Sequence, residues 1–177
     1  MPVILAKSAG FCYGVERAVN LAEQTAREKG SCVMLGSIIH NAHVVRELEA
    51  LGARQVDDIS QVRPGETVII RSHGETRQVY QQMEALGAEV VDATCPNVRR
   101  IQRLVAGAGE GGRTPLIIGE QHHPEVLGAA SWSEDSVIVD GPAALEAWLA
   151  EDPARRTMPL MAVAQTTYIR TLWEDCV

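Results

Sequence analysis

The chain is 177 residues long, with 46% hydrophobic and 22% charged residues, a globular rather than a disordered composition. Lys plus Arg number 16 against 23 Asp plus Glu, and the resulting net charge of −7 argues against a generic nucleic-acid binder. It leaves a small anionic ligand open, because histidines and backbone N–H groups bind anions inside acidic proteins.

At about 150 residues per domain, this length implies one large domain or two small lobes. No stretch approaches the roughly 18 apolar residues of a membrane span, and the opening apolar run is too short for a signal peptide. Cysteines stand at 12, 32, 95 and 176, without a C-x-x-C pair. The expectation is a cytoplasmic protein with reduced thiols, and neither nucleic acid nor membrane as a partner.

In chain order, short apolar runs alternate with longer helix-patterned stretches. A strand is predicted over Pro2–Ala6, then a helix over Val15–Lys29, where Val15, Ala18, Val19 and Ala22 recur at helical spacing. Strand Cys32–Gly36, helix His43–Leu51, strand Thr67–Arg71, helix Arg77–Leu86 and strand Glu89–Val91 follow. After Thr94-Cys95-Pro96 come helix Asn97–Ala108, strand Pro115–Gly119, helix Pro124–Trp132, strand Val137–Val139, helix Pro142–Ala150, strand Met161–Ala164 and a helix from Tyr168 onward. Gly30, Gly52 and Gly87 mark helix ends. Such alternation predicts an α/β fold of two similar αβ lobes with mainly parallel sheets, divided near Thr94-Cys95-Pro96.

Nearly every chemically capable residue falls just after a predicted strand. Cys12, His40, His73, Cys95, the run His122-His123-Pro124-Glu125, and Gln165-Thr166-Thr167 occupy six strand exits. In open α/β sheets ligands bind outside the carboxyl ends of the strands, where helix N-termini also point. Six such segments therefore point to one ligand site.

Each residue also has an ordinary structural role. Cys12, in Gly-Phe-Cys-Tyr-Gly, is either a packed small hydrophobe or a thiol activated by the helix start behind it. A phosphatase-type loop is disfavoured, since Ala18 occupies the sixth position after Cys12, where that motif needs Arg. Cys95 sits on a strand exit, Cys32 reads as core, and Cys176 reads as structural or incidental. His43 and His122 read as solvated loop histidines. His40, His73 and His123 share strand exits and suit a diphosphate, with charge tunable near neutral pH. Glu125 is either a first-turn carboxylate or an acid, and Thr166-Thr167 either a plain helix cap or a substrate contact.

Two thiols on separate loops fit a cluster assembled across lobes, although iron–sulfur clusters usually take four thiolates. Three thiolates would leave one iron free as a Lewis acid, with a nearby carboxylic acid protonating a leaving hydroxyl. A mononuclear zinc held by Cys and His accounts for the same spacing.

The segments Ala9–Val19, Ile39-His40-Asn41, Arg71-Ser72-His73-Gly74, Asp92-Ala93-Thr94-Cys95-Pro96, His123-Pro124-Glu125-Val126 and Gln165-Thr166-Thr167 together carry a resemblance covering almost the whole chain. The sequence resembles the 4-hydroxy-3-methylbut-2-enyl diphosphate reductase family, last enzyme of the non-mevalonate isoprenoid pathway. The resemblance implies a trefoil of three αβ lobes around a 4Fe–4S cluster. It implies Cys12 and Cys95 as two of three cluster thiolates, and His40, His73 and His123 as ligands of the substrate diphosphate. Glu125 would relay a proton, and Thr166 would hold the substrate hydroxyl. The implied reaction is a two-electron reductive dehydroxylation to isopentenyl and dimethylallyl diphosphate, with a ferredoxin or flavodoxin-type electron donor.

The sequence departs from the family in one respect. The third cluster cysteine and a Ser-x-Asn-type diphosphate clamp belong to a third lobe beyond this chain's end, and Cys176 falls too soon to substitute. The expected organisation is a first lobe over 1–95, carrying both cysteines, and a second over 96–177, the whole being an N-terminal portion inactive on its own. Two other readings stand beside this one. A zinc-dependent Cys/His hydrolase would carry zinc and lack iron–sulfur colour. A non-catalytic anion-binding module would bind diphosphate without Cys12 and Cys95.

Overall fold

The computed structural model describes residues 3–7 and 9–177. Helix and strand alternate along the chain, beginning with α1 (Tyr13–Lys29), β1 (Cys32–Leu35), α2 (Ala42–Ala50) and β2 (Ala53–Val56). A 3₁₀ turn (Ile59–Gln61) leads to β3 (Thr67–Ile70), α3 (Arg77–Ala85) and β4 (Glu89–Asp92). Then come α4 (Pro96–Glu110), β5 (Thr114–Ile118), α5 (Pro124–Ala130), β6 (Val137–Val139), α6 (Pro142–Glu151), β7 (Leu160–Ala164) and α7 (Arg170–Glu174).

The strands form two sheets, ordered β2-β1-β3-β4 and β6-β5-β7. Every pairing is parallel, as the predicted α/β class requires. Parallel strands need crossover connections, and the helices supply them on both faces.

Side-chain alternation assigns each strand to two cores at once. Met34 of β1 and Ile69 of β3 face α1 and α2, packing with Ala18, Ala22 and Leu48. Val33, Leu35, Val68 and Ile70 face the other way, against Met83 of α3. Ile117 of β5 packs with Val105 of α4 and Val126 of α5, while Leu116 and Ile118 pack with Leu145 of α6. Each fully buried Ile or Met side chain stabilises the fold by about 1.5–3 kcal/mol. Being covered on both faces is why β1, β3 and β5 read as unbroken apolar runs.

Several expectations are corrected. Part of the predicted first strand, Pro2, lies outside the described residues. The remainder forms no strand, and Val3, Ile4 and Leu5 are more than 80% exposed (93%, 91% and 83%). Conversely, β2 has no predicted counterpart. It is an edge strand with exposed Arg54 and half-buried Gln55 at its centre, so only Ala53 and Val56 are buried. The last helix starts at Arg170 with Ile169 at its N-cap, so the Thr166-Thr167 pair does not cap it. Cys32 is 5% exposed in the first core, where burial pushes its thiol up. Cys176 is partly buried and packs against the cluster of Leu116, Ile118, Val139 and Leu145. No helix of the described residues is long and apolar enough to cross a membrane.

Candidate active site

The parallel topology sends the strand exits to one edge, and backbone hydrogen bonds continue the ladders beyond the strands. Ser72 donates its N–H to Ile38 O at 3.2 Å, and Cys95 donates to Ser72 O at 2.8 Å. In the second sheet the Gln165 N–H reaches Ile118 O at 2.9 Å. The loops carrying His40, His73, Cys95 and Thr166 are thus extensions of the sheets. Rigid mounting of this kind is what positions functional groups.

Both candidate cysteines occupy helix starts. Cys12 is the N-cap of α1 and Cys95 the N-cap of α4, and neither side chain caps its helix. Their thiols remain available where helix N–H groups and dipole favour an anion. Cys12 is exposed, Cys95 half-buried, and neither is in a disulfide.

The Cys95 loop is clamped from two helices. Arg17 of α1 donates to Thr94 O at 3.3 Å and Asp92 O at 3.4 Å. Asp92 accepts the Thr94 N–H at 2.9 Å through Oδ1, while Oδ2 pairs with Arg99 of α4 and accepts from the Tyr80 hydroxyl. The Arg99 guanidinium also lies 5.3 Å over the Tyr80 ring.

Three imidazoles meet across the two sheet units. The His40 and His73 rings lie 5.0 Å apart, and His123 stands edge-on to His73 at 5.5 Å. His73 is pushed down to about 4, first by burial and then by His40, His123 and Arg71. It is therefore neutral at pH 7, with its Nδ1 buried and without a partner. The Glu125 N–H donates to His123 Nδ1 at 3.2 Å. That hydrogen bond assigns the His123 proton to Nε2, leaving an N–H free to donate.

Glu125, in the first turn of α5, is only 3% exposed. Thr166 serves it twice, its N–H donating to Oε1 at 2.6 Å and its hydroxyl to Oε2 at 2.8 Å. Gln165 anchors the same loop by accepting the Glu120 N–H at 3.0 Å. Its amide also donates to the Thr167 hydroxyl at 3.0 Å, which is the role of Thr167 here.

A cavity of about 130 Å³ is lined by Cys12, Cys95, His73, His123, Glu125 and Thr166. Next to it, a cleft of about 840 Å³ shares His123 and Thr167 and carries His40 on its wall. Every residue predicted for the site lines one of these two spaces. Arg17, Ser72, Asp92 and Arg99 support the site, and sequence reasoning assigns them no role; Gln165, which stands at a predicted strand exit, supports it as well. The available signal is that Arg17, Ser72 and Asp92 lie within the segments that carry the resemblance, and that Arg99 lies four residues after Cys95.

The donor set suits a soft metal in part. Two thiols from separate elements share one cavity, which fits two ligands of an iron–sulfur cluster. Among the described residues, no group of three or more His, Cys, Asp or Glu gathers at metal-holding distance.

Fold and site together define a parallel α/β protein whose candidate groups converge at strand exits, except Cys12, whose predicted preceding strand does not form. Comparison with known proteins narrows the class. The family model described as "LytB protein" matches residues 3–177. The chain is 37% identical to the 4-hydroxy-3-methylbut-2-enyl diphosphate reductase of Caldanaerobacter subterraneus subsp. tengcongensis, covering 99% of this chain and 60% of that one. It is 45% identical to the reductase of the same name from Citrifermentans bemidjiense, covering 78% and 49% respectively. Among solved structures, the E-1-hydroxy-2-methyl-but-2-enyl-4-diphosphate reductase of Plasmodium falciparum superposes with a TM-score of 0.88 at 25% identity, over 96% of this chain and 53% of that one. A structure of (E)-4-hydroxy-3-methyl-but-2-enyl diphosphate reductase, described as the terminal enzyme of the non-mevalonate pathway, gives 0.83 at 34% identity, over 99% and 62%.

The chain belongs to the LytB family. It spans about half to three-fifths of the length of these relatives (49% to 60%).

Proposed function

We propose that this chain supplies part of the active site of a reductase that removes the hydroxyl of 4-hydroxy-3-methylbut-2-enyl diphosphate. The reaction takes two electrons and two protons: one proton leaves in water with the hydroxyl oxygen and the other forms the C–H bond that replaces C–O, giving isopentenyl and dimethylallyl diphosphate. The reading rests on one cavity that combines two free thiols, two imidazoles and the Glu125–Thr166 pair. Residues 1–95 and 96–177 act as two lobes of a larger trefoil. Alone, the chain is inactive.

In this reading Cys12 and Cys95 would be two thiolate ligands of a 4Fe–4S cluster, which would pass the two electrons of the reduction one at a time from a ferredoxin or flavodoxin-type donor. The free thiols of all four cysteines support a reducing, cytoplasmic setting.

The chain's own groups divide the remaining work. His40, His73 and His123 bind the diphosphate. A neutral imidazole donates one N–H, and charging on contact with the dianionic phosphate adds Coulomb attraction. Burial of His73 means that this charge develops only when the ligand compensates it.

Glu125 and Thr166 manage the proton. The Thr166 hydroxyl donates to Glu125 here, so its lone pairs face outward to accept the substrate hydroxyl. When Glu125 carries a proton, the same hydrogen bond reverses. Thr166 then donates outward, and a proton reaches the departing oxygen, which leaves as water. The Thr166 N–H on Oε1 keeps the carboxyl in plane for both states.

Anaerobic reconstitution with iron and sulfide, followed by a turnover assay with the allylic diphosphate, tests the proposal. The 177-residue chain is expected to show no turnover, and the complete polypeptide that includes it to show both cluster and turnover. Replacing Cys12 and Cys95 in the complete polypeptide should abolish both. Retention of cluster without these cysteines would refute their assignment.

A further inference from the structure

Gly14 stands in the first turn of α1, two residues after Cys12, and is buried. Its backbone does not call for glycine, since it is not among the residues with positive φ. At a helical position alanine is the better helix former. A Cβ placed on Gly14 would lie 2.5 Å from Cys95 Sγ, closer than packed atoms come, and 3.2 Å from Cys95 Cβ, tighter than most packed contacts.

The Cys95 loop has little room to retreat. Its N–H is bound to Ser72 O at 2.8 Å, its carbonyl accepts the Arg99 N–H at 2.9 Å, and Arg17 holds the carbonyl before it. A side chain at Gly14 therefore displaces the thiol first, because rotation of Cys95 about χ1 is easier than moving the loop.

We propose that Gly14 is a positioning residue for the Cys95 thiol: its missing side chain lets the sulfur seat on the first turn of α1, beside the loop that carries Cys12. Arg17, one turn further along α1, holds the backbone of the same loop. One helix thus sets the position of Cys95 at both sulfur and main chain. The importance of that seat for the reductase rests on Cys95 being a cluster ligand; the packing relation stands without any cluster.

A double-mutant cycle on the metal-free 177-residue chain tests it, with melting temperature as the first readout. Gly14→Ala is expected to lower Tm by about 5 °C when Cys95 is present, the cost of overpacking a close contact. In the Cys95→Ala background the same change should cost little or raise Tm. The second readout is alkylation resolved by mass spectrometry. Gly14→Ala should shift the Cys95-to-Cys12 reaction ratio severalfold, with the Cys32 rate unchanged, and a purely helical role for Gly14 would not move that ratio. If Gly14→Ala alone fails to fold, folding of the double variant supports the proposal, and failure of both overturns it. Equal Tm loss in both backgrounds, or an unchanged alkylation ratio, also overturns it. Unaltered iron and sulfide in a Cys95→Ala complete enzyme would remove the cluster reading and leave the Gly14–Cys95 coupling untouched.

Discussion

Thr166 binds Glu125 through two hydrogen bonds at once, its N–H to one carboxyl oxygen at 2.6 Å and its hydroxyl to the other at 2.8 Å. The residues are 41 positions apart and come from the exits of β5 and β7, adjacent strands of the second sheet. A carboxyl this buried is held only by such partners.

Replacing Glu125 by Gln sets an amide NH₂ group where one of the two Thr166 donors points. The expected cost is about 1–3 kcal/mol of stability from the unmatched donor. In the complete enzyme, turnover should fall by about 10²–10⁴, the usual contribution of a positioned acid, with the cluster content intact. Urea unfolding and steady-state kinetics measure the two effects. Unchanged turnover would remove Glu125 from the proton path.

His73 makes stability depend on pH. Its folded value is pushed down to about 4, below the ordinary histidine value near 6.5. Between those values the unfolded chain binds more protons than the folded one, so stability falls as the pH drops from about 6.5 toward 4. Glu75 acts in the opposite sense, because burial raises its carboxyl above the usual range and favours the folded state at lower pH. His73→Asn should flatten the decline between pH 6.5 and 4. A denaturant midpoint series across that window checks this, and an unchanged slope would contradict the buried, neutral imidazole.

An anion bound at the imidazoles should reverse this bias. Inorganic pyrophosphate added to the chain is expected to bind more tightly at pH 6 than at pH 8 and to take up protons on binding. Isothermal titration in buffers of different ionisation enthalpy reads the proton count. His73→Asn should reduce that uptake, and an uptake unchanged by the substitution would count against a role for His73.

Asp92 is the hub of the Cys95 loop. Asp92→Ala removes the acceptor of the buried Thr94 N–H and leaves Arg99 without its carboxylate. The expected loss is about 2–4 kcal/mol, with faster amide exchange at Thr94 and Cys95. A loss below about 0.5 kcal/mol, the range of an ordinary surface change, would show that the loop is held elsewhere.

Much of this architecture was legible in the sequence, for identifiable reasons. Strands β1, β3 and β5 are covered on both faces, so Cys32–Leu35, Thr67–Ile70 and Thr114–Ile118 are continuously apolar or nearly so. Parallel pairing then forces their exits to one edge, which made the positions of His40, His73, Cys95, Glu125 and Thr166 informative. Ala53–Val56 escaped notice because an edge strand with polar residues at its centre carries no alternating signal. Val3–Leu5 misled because apolar residues alone do not ensure burial or a pairing partner. The reach of Arg17 across 77 positions to Thr94 O, and the seating of Cys95 on Gly14, depend on how α1 lies against the loop. Local pattern does not encode such an approach.

The backbone of Ser72 ties together groups that differ in chemistry. On one side its N–H is held by the loop that ends in His40, and on the other its carbonyl holds Cys95, while His73 is the next residue along. An ångström of drift in the His40 loop or at Cys95 would break the bond to Ser72, of 3.2 or 2.8 Å respectively. The His40 and His73 imidazoles and the Cys95 thiol therefore share one mount, which works as a gauge of fixed length between two imidazoles and one sulfur. On the proposed reading, that gauge is the spacing between the phosphate end of the ligand and the end that faces the sulfur.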